Sequence, residues 1–157
     1  MSATAQTIMD PNPVVLHPTD TIGTATRYIL SHHLRHVPVV DEQGRYLGIF
    51  GIYSLLRLIL PKVATMELGL NDVSFIPCTL QELGDRLREV EADSVMTCLR
   101  KDVPVVHPDT PLLETVLLLL DSRIALPVVD KGSGRLVGKI LSRGTLGKIV
   151  GNSEGGD

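Results

Sequence analysis

His32, His33 and His36 fall within five consecutive positions, with Arg35 beside the last of them. On a continuous helix His32 and His36 would stand one turn apart, the spacing of a two-histidine metal clamp. The neighbouring sequence supplies no further ligand to complete a coordination shell, so no metal is expected. Arg35 and His36 suit an anionic ligand better, because the guanidinium presents a planar fork of donors to a phosphate. Tyr53 and Ser54 add a ring that can stack on a base and a hydroxyl. Ser142-Arg143-Gly144 stands where a helix is expected to open, and the N–H groups of a helix N-terminus can cradle a phosphate. Cys98 is followed by Arg100 and Lys101, which could in principle lower its pKa. No base accompanies it, so Cys98 and Cys78 read as unreactive thiols.

These groups do not assemble into a reaction. There is no Gly-x-Ser-x-Gly, no phosphate-binding P-loop, no His-Glu-x-x-His and no dinucleotide fingerprint. The chain is therefore expected to be non-enzymatic and to require no cofactor. A formal net charge of −3 offers no basic excess with which to neutralise nucleic-acid phosphates. The apolar runs Leu55–Leu60 and Val116–Leu120 are far shorter than the roughly 20 residues a spanning helix needs. Residues 1–13 lack the basic and apolar regions of a secretory signal. Two cysteines are too few for a disulfide framework, and the expected compartment is the cytoplasm.

The elements that must position these groups occur twice. His17-Pro18 returns as His107-Pro108, 90 residues later. Pro38-Val39-Val40-Asp41 returns as Pro127-Val128-Val129-Asp130 after 89, and Gly44-Arg45 returns as Gly134-Arg135 after 90. Each copy reads as a short strand ending at His-Pro, a capped helix, a buried strand, a glycine turn, a second strand and a closing helix near Ser54 or Gly144. Asp20 or Thr21 caps the first helix of copy one; Thr110 caps that of copy two, with Pro111 at the first helical position. The helical spacing puts Ile22, Ala25, Ile29 and Leu30 on one apolar face, and Leu112, Leu113, Val116, Leu117 and Leu120 on its counterpart. Between the copies, Thr79 and Glu82 form a capping box for a connector helix with Leu80, Leu83, Leu87 and Val90 on one stripe. The expected fold is α+β: two β-α-β-β-α repeats, residues 1–60 and 95–150, with a connector over 61–94 and a flexible tail over 151–157. A unit this small hides its apolar face poorly alone, so the two copies should pack as one module.

This duplicated unit resembles the cystathionine β-synthase (CBS) domain family, with an opening Met (Met9, Met96), the His-Pro strand and the Pro-Val-Val-Asp strand. The Gly-hydrophobic-hydrophobic strand and the last helix complete the match. The resemblance implies a stand-alone, Bateman-type tandem pair with pseudo-two-fold symmetry that homodimerises. It implies clefts that bind AMP, ADP, ATP or S-adenosylmethionine as regulatory, energy-sensing ligands and modulate an effector protein. Carried over by position, the cleft takes Arg35, His36, Val37 and Pro38 in copy one. Ile124 with Ala125, Leu126 and Pro127 corresponds in copy two. Backbone groups at Pro13-Val14 and Val103-Pro104 would read the adenine edge. The family's Gly-hydrophobic-hydrophobic-Thr/Ser-x-x-Asp falls on Gly51 and Ser54 in copy one, and on Leu141 and Gly144 in copy two. Allowing one extra residue in copy two brings in Ser142, Arg143 and Thr145. Neither copy carries the ribose-holding Asp. The alternatives are a ligand-free structural dimerisation module and a sensor of a non-adenine ligand.

Overall fold

The computed structural model describes residues 3–61 and 77–155, so the first part of the expected connector, residues 62–76, lies outside the described residues. The fold is α+β. In order come α1 (Ala5–Ile8), α2 (Ile22–His32), β1 (His36–Val40), β2 (Tyr46–Gly51), α3 (Ile52–Ile59) and α4 (Leu80–Val90). A 3-10 turn (Val95–Cys98) and β3 (Leu99–Arg100) follow, then α5 (Leu112–Ser122), β4 (Leu126–Val129), β5 (Leu136–Ile140) and α6 (Ser142–Gly155). The strands form one sheet in the order β1-β2-β3 and a second, β4-β5. The strand expected ahead of each His-Pro is reduced to a single parallel bridge, Leu16 to Val39 and Val106 to Val128. Pro13 and Pro18 flank the first stretch, Pro104 and Pro108 the second, and proline cannot donate to a ladder.

The chain divides into two compact units. One comprises Met1–His17, Pro38–Ile49 and Lys101–Asp157. Its core gathers Ala5, Ile8, Val106, Leu119, Leu126, Val128 and Ile140. Ala5 and Ile8 belong to α1, which is held there by backbone bonds from Ala5 N–H to the Thr110 carbonyl (2.8 Å) and from Asp10 N–H to the Lys139 carbonyl (2.8 Å). Gly138 lets this segment approach, because a Cβ there would lie 2.6 Å from Met9 Sδ and 2.9 Å from the Asp10 carbonyl oxygen. In the hairpin β4 pairs antiparallel with β5, Leu126 opposite Ile140. Its turn is tied by Asp130, whose carboxylate accepts from the Ser133 N–H (2.9 Å) and hydroxyl (2.7 Å). Asp41 does the same in the other turn, accepting from the N–H groups of Gln43 (2.9 Å) and Arg45 (2.8 Å). The two turns pair with each other: Tyr46 N–H donates to the Gly134 carbonyl (3.0 Å) and Leu136 N–H to the Gly44 carbonyl (2.9 Å).

The other unit comprises Pro18–Val37 and Phe50–Arg100. Thr21 caps α2 by accepting from Thr24 N–H at 3.2 Å, and the helix buries Ile22, Ala25 and Ile29. The chain just ahead of the second copy seals this helix: Ile22 N–H donates to the Asp93 carbonyl (2.9 Å) and Val95 N–H to that of Asp20 (3.1 Å). Thr79 caps α4, accepting from Glu82 N–H at 3.1 Å, and α4 packs on α3. Leu83, Leu87 and Val90 are half-buried there, while Leu80 is exposed.

Three expectations change. Thr110 does not cap α5; its hydroxyl accepts from His107 N–H (2.9 Å), and Pro111 takes the cap position. α5 buries Thr115 and Leu119, not the face read from spacing, and leaves Leu113, Leu117 and Leu120 exposed. A helix that is apolar all round carries no stripe to mark its inner face, so packing alone chooses it. The expected tail is helical as far as Gly155, because each added residue extends an already nucleated helix by one hydrogen bond.

Gly44 and Gly134 have φ of 81° and 76°. A left-handed conformation costs a residue with a Cβ about 1–2 kcal/mol. Gly134→Ala is therefore expected to lower the unfolding midpoint by several degrees in a thermal melt.

Candidate functional site

In copy one the expected residues converge where β1 begins and β2 hands over to α3. The Arg35 carbonyl accepts from Ile52 N–H (2.9 Å), clamping the start of the strand to the first residue of the helix. Gly51 is the α3 cap residue and offers no side chain to the first-turn N–H groups. The His36 ring lies over Gly51, its Cδ2 3.1 Å from where a Cβ would stand. Arg35 is exposed, His36 and Ser54 are half-buried, and Tyr53 is 63% exposed at the start of α3. An open helix start with a guanidinium, an imidazole, a phenol and a hydroxyl around it can hold an anion bearing an aromatic group. Val37 and Pro38 are buried in β1, and the Pro38 carbonyl already accepts from Leu16 N–H (2.9 Å). Pro13 and Val14 are half-buried in the other compact unit.

Copy two is built differently at the same junction. Ala125, Leu126 and Pro127 are buried, and the Pro127 carbonyl accepts from Val106 N–H (3.0 Å). Val103 is buried and Pro104 half-buried. One position beyond the Leu126–Ile140 pair, Ala125 and Leu141 take the places of His36 and Gly51. The large and small partners have exchanged sides, and the pair at this junction is apolar. Ser142 and Arg143 are exposed at the start of α6. Thr145 is buried at 5%, at the helical position that Leu55 (6%) holds in copy one. Its hydroxyl has no hydrogen-bond partner among the described residues. α6 opens at Ser142 as α3 opens at Ile52, 90 residues earlier.

The histidine cluster does not form a clamp. α2 ends at His32 and His33 turns left-handed (φ 52°), so His36 stands on β1 and the one-turn relation is lost. Among the described residues no three His, Cys, Asp or Glu side chains gather as a metal site. Burial pushes the Cys98 thiol up, opposite to the lowering that Arg100 and Lys101 could have produced.

A family model for the CBS domain matches residues 5–61 and again 92–146. The chain belongs to the CBS domain family. Among solved structures, the CBS-pair protein CBSX2 of Arabidopsis thaliana superposes with a TM-score of 0.78 at 21% identity, covering 98% of this chain and 99% of that one. CBSX2 in complex with AMP matches with a TM-score of 0.71 at 22% identity, over 96% and 98% of the two chains. The CBS domain pair of protein MJ0100, in complex with 5′-methylthioadenosine and S-adenosyl-L-methionine, matches with a TM-score of 0.63 at 18% identity, over 98% and 99%. The homoserine O-acetyltransferase of Methanohalophilus mahii is 26% identical over 145 residues, 92% of this chain and 24% of the relative. This chain thus spans about a quarter of that relative's length.

The buried Lys139 and the buried hydroxyl of Tyr46 escaped the sequence reading. Lys139 is 3% exposed in β5, where the first CBS repeat has the fully buried Ile49. A lysine interrupting an apolar strand was the available signal. Burial, the larger effect, lowers the Lys139 pKa below 10.5, against an opposing pull from Asp10. Tyr46 has its hydroxyl buried without a hydrogen-bond partner among the described residues. Burial first, and then Asp102, push the phenol up to about 12.

Between the lowered Lys139 pKa and 10.5 the unfolded chain binds more protons than the folded one, so stability rises with pH across that window. Lys139→Met is expected to flatten this alkaline rise in denaturant titrations run at stepped pH. Thr145→Val removes a buried hydroxyl with no partner and is expected to stabilise the fold by about 1 kcal/mol, read from the denaturation midpoint.

Proposed function

We propose that this CBS pair is a regulatory, non-catalytic sensor of an adenosine-containing ligand, with its principal site at the β1–α3 junction of the first repeat. The observation that carries this reading is the convergence of Arg35, His36, Gly51, Tyr53 and Ser54 at an uncapped helix start. CBSX2 in complex with AMP, and the MJ0100 pair with its two adenosine derivatives, support the ligand class. The exposed Arg35 guanidinium favours a phosphorylated member, AMP, ADP or ATP, over S-adenosylmethionine, because its donor fork matches phosphate oxygens. Ser54 occupies the place of the missing ribose carboxylate and can offer the ribose a single hydroxyl. The protein works in the cytoplasm as a homodimer and passes ligand binding on to an effector protein. Such coupling requires the ligand to bind two arrangements of the module with unequal affinity. Neither a membrane nor nucleic acid enters the reading. Among the described residues no helix is long and apolar enough to cross a bilayer, and the net charge is −3.

One observation favours a second reading, a ligand-free dimerisation module. The exchange of His36 and Gly51 for Ala125 and Leu141 leaves the second repeat's junction without a polar side chain at these two positions. Thermal melts with AMP, ADP, ATP, S-adenosylmethionine, NAD and GTP near millimolar separate the two. A ligand at about a hundred times its dissociation constant adds roughly 2.7 kcal/mol of stability. The sensor is expected to gain several degrees with one or more adenosine compounds and none with GTP, and Arg35→Ala to lose most of that gain. No shift with any compound would leave the dimerisation module standing.

A further inference from the structure

Arg57 is the only charged residue of α3, and the site proposed above makes no use of it. Successive helical residues turn by about 100° and rise by about 1.5 Å. Arg57 therefore stands about 40° from Tyr53 and about 60° from Ser54, within the sector that those two residues bound and one turn further from the helix start. It is exposed, and among the described residues no carboxylate pairs with it or with Arg35. Residues 34–40 and 46–60, which supply both sides of the junction, contain no Asp or Glu. In the second repeat, 90 residues on, the place of Arg57 falls to Gly147. The cation thus accompanies the polar junction and not the closing helix as such.

Two separated cations on a surface free of acids suit a ligand with two separated anionic groups. In the reading above, the first phosphate meets the open N–H groups at the start of α3 and the Arg35 guanidinium. A base stacked on Tyr53 then lays the sugar along the helix beside Ser54. Further phosphates on the 5′ chain would extend from the anchored one and stay at the helix start. A phosphate on the 2′ or 3′ oxygen leaves the sugar on its other side, toward the next turn, where Arg57 stands. We propose that the site takes an adenine nucleotide phosphorylated on its ribose at the 5′ oxygen and again at the 2′ or 3′ oxygen, with Arg57 binding the second phosphate. Ser54 permits this arrangement, because a small neutral hydroxyl tolerates a dianion that a carboxylate in its place would repel.

The inference rests on the adenosine-sensor reading, and its test separates the two. The full chain, as wild type and as Arg57→Gln, is titrated calorimetrically with AMP, ADP, adenosine 3′,5′-bisphosphate and adenosine 2′,5′-bisphosphate. One of the two bisphosphates is expected to bind the wild type at least about tenfold more tightly than AMP, the scale of one charge-assisted hydrogen bond, and ADP to gain less. Arg57→Gln keeps most of the side chain's length without its charge, and is expected to bring the ratio of bisphosphate to AMP affinity close to one. A ratio taken within one variant does not depend on how much of that variant is folded. AMP binding with no preference for either bisphosphate, a preference that survives Arg57→Gln, or a larger gain with ADP than with the bisphosphates would overturn the second-phosphate inference alone. No binding of any of the four would overturn it together with the phosphorylated-nucleotide reading.

Discussion

Ala5 and Ile8 come from the chain ahead of the first repeat, yet they are buried among Val106, Leu119, Leu126, Val128 and Ile140 of the second. The segment ahead of the second repeat likewise seals α2, through the backbone bonds of Asp93 and Val95. A two-stranded hairpin with two short helices leaves too much of its apolar face in water to stand alone. Each core is completed by the other repeat's leading segment. That exchange explains why Gly138 has no room for a Cβ: the β5 backbone must lie against Met9 and Asp10. It also explains why Lys139 can be buried beside Asp10, in place of an aliphatic residue.

Within this shared scaffold the two repeats differ at the junction of strand and closing helix. His36 over Gly51 gives the first repeat a polar ring at an open helix start. Ala125 and Leu141 give the second an apolar pair at the same junction. The exchange replaces a polar ring by an aliphatic chain on the opposite side.

The turns are the most nearly symmetric part of the molecule. Asp41 and Asp130 each accept hydrogen bonds across a glycine turn; the Arg45 N–H chiefly lowers the Asp41 carboxyl, and the Ser133 hydroxyl, then its N–H, lower that of Asp130. Paired turns, with Tyr46 donating to Gly134 and Leu136 to Gly44, bind hairpin to hairpin through the backbone.

By itself the sequence determined the duplication, the α+β class, the glycine turns, the Thr21 and Thr79 caps and the family. All of these rest on local chemistry or on a repeat that can be counted. It also offered Arg35, His36, Gly51, Tyr53 and Ser54 as candidates, without showing that His36 lies over Gly51. Only the tertiary structure decided which face of α5 is buried, because a run of leucines has no local mark for inside. Only it placed Thr145 in the core, since the register of α6 is set by where β5 ends. It alone removed the histidine clamp, because the left-handed turn at His33 takes His36 onto a strand. It also assigned Ala5 and Ile8 to the far repeat, a contact across about a hundred residues that no periodicity within either repeat encodes.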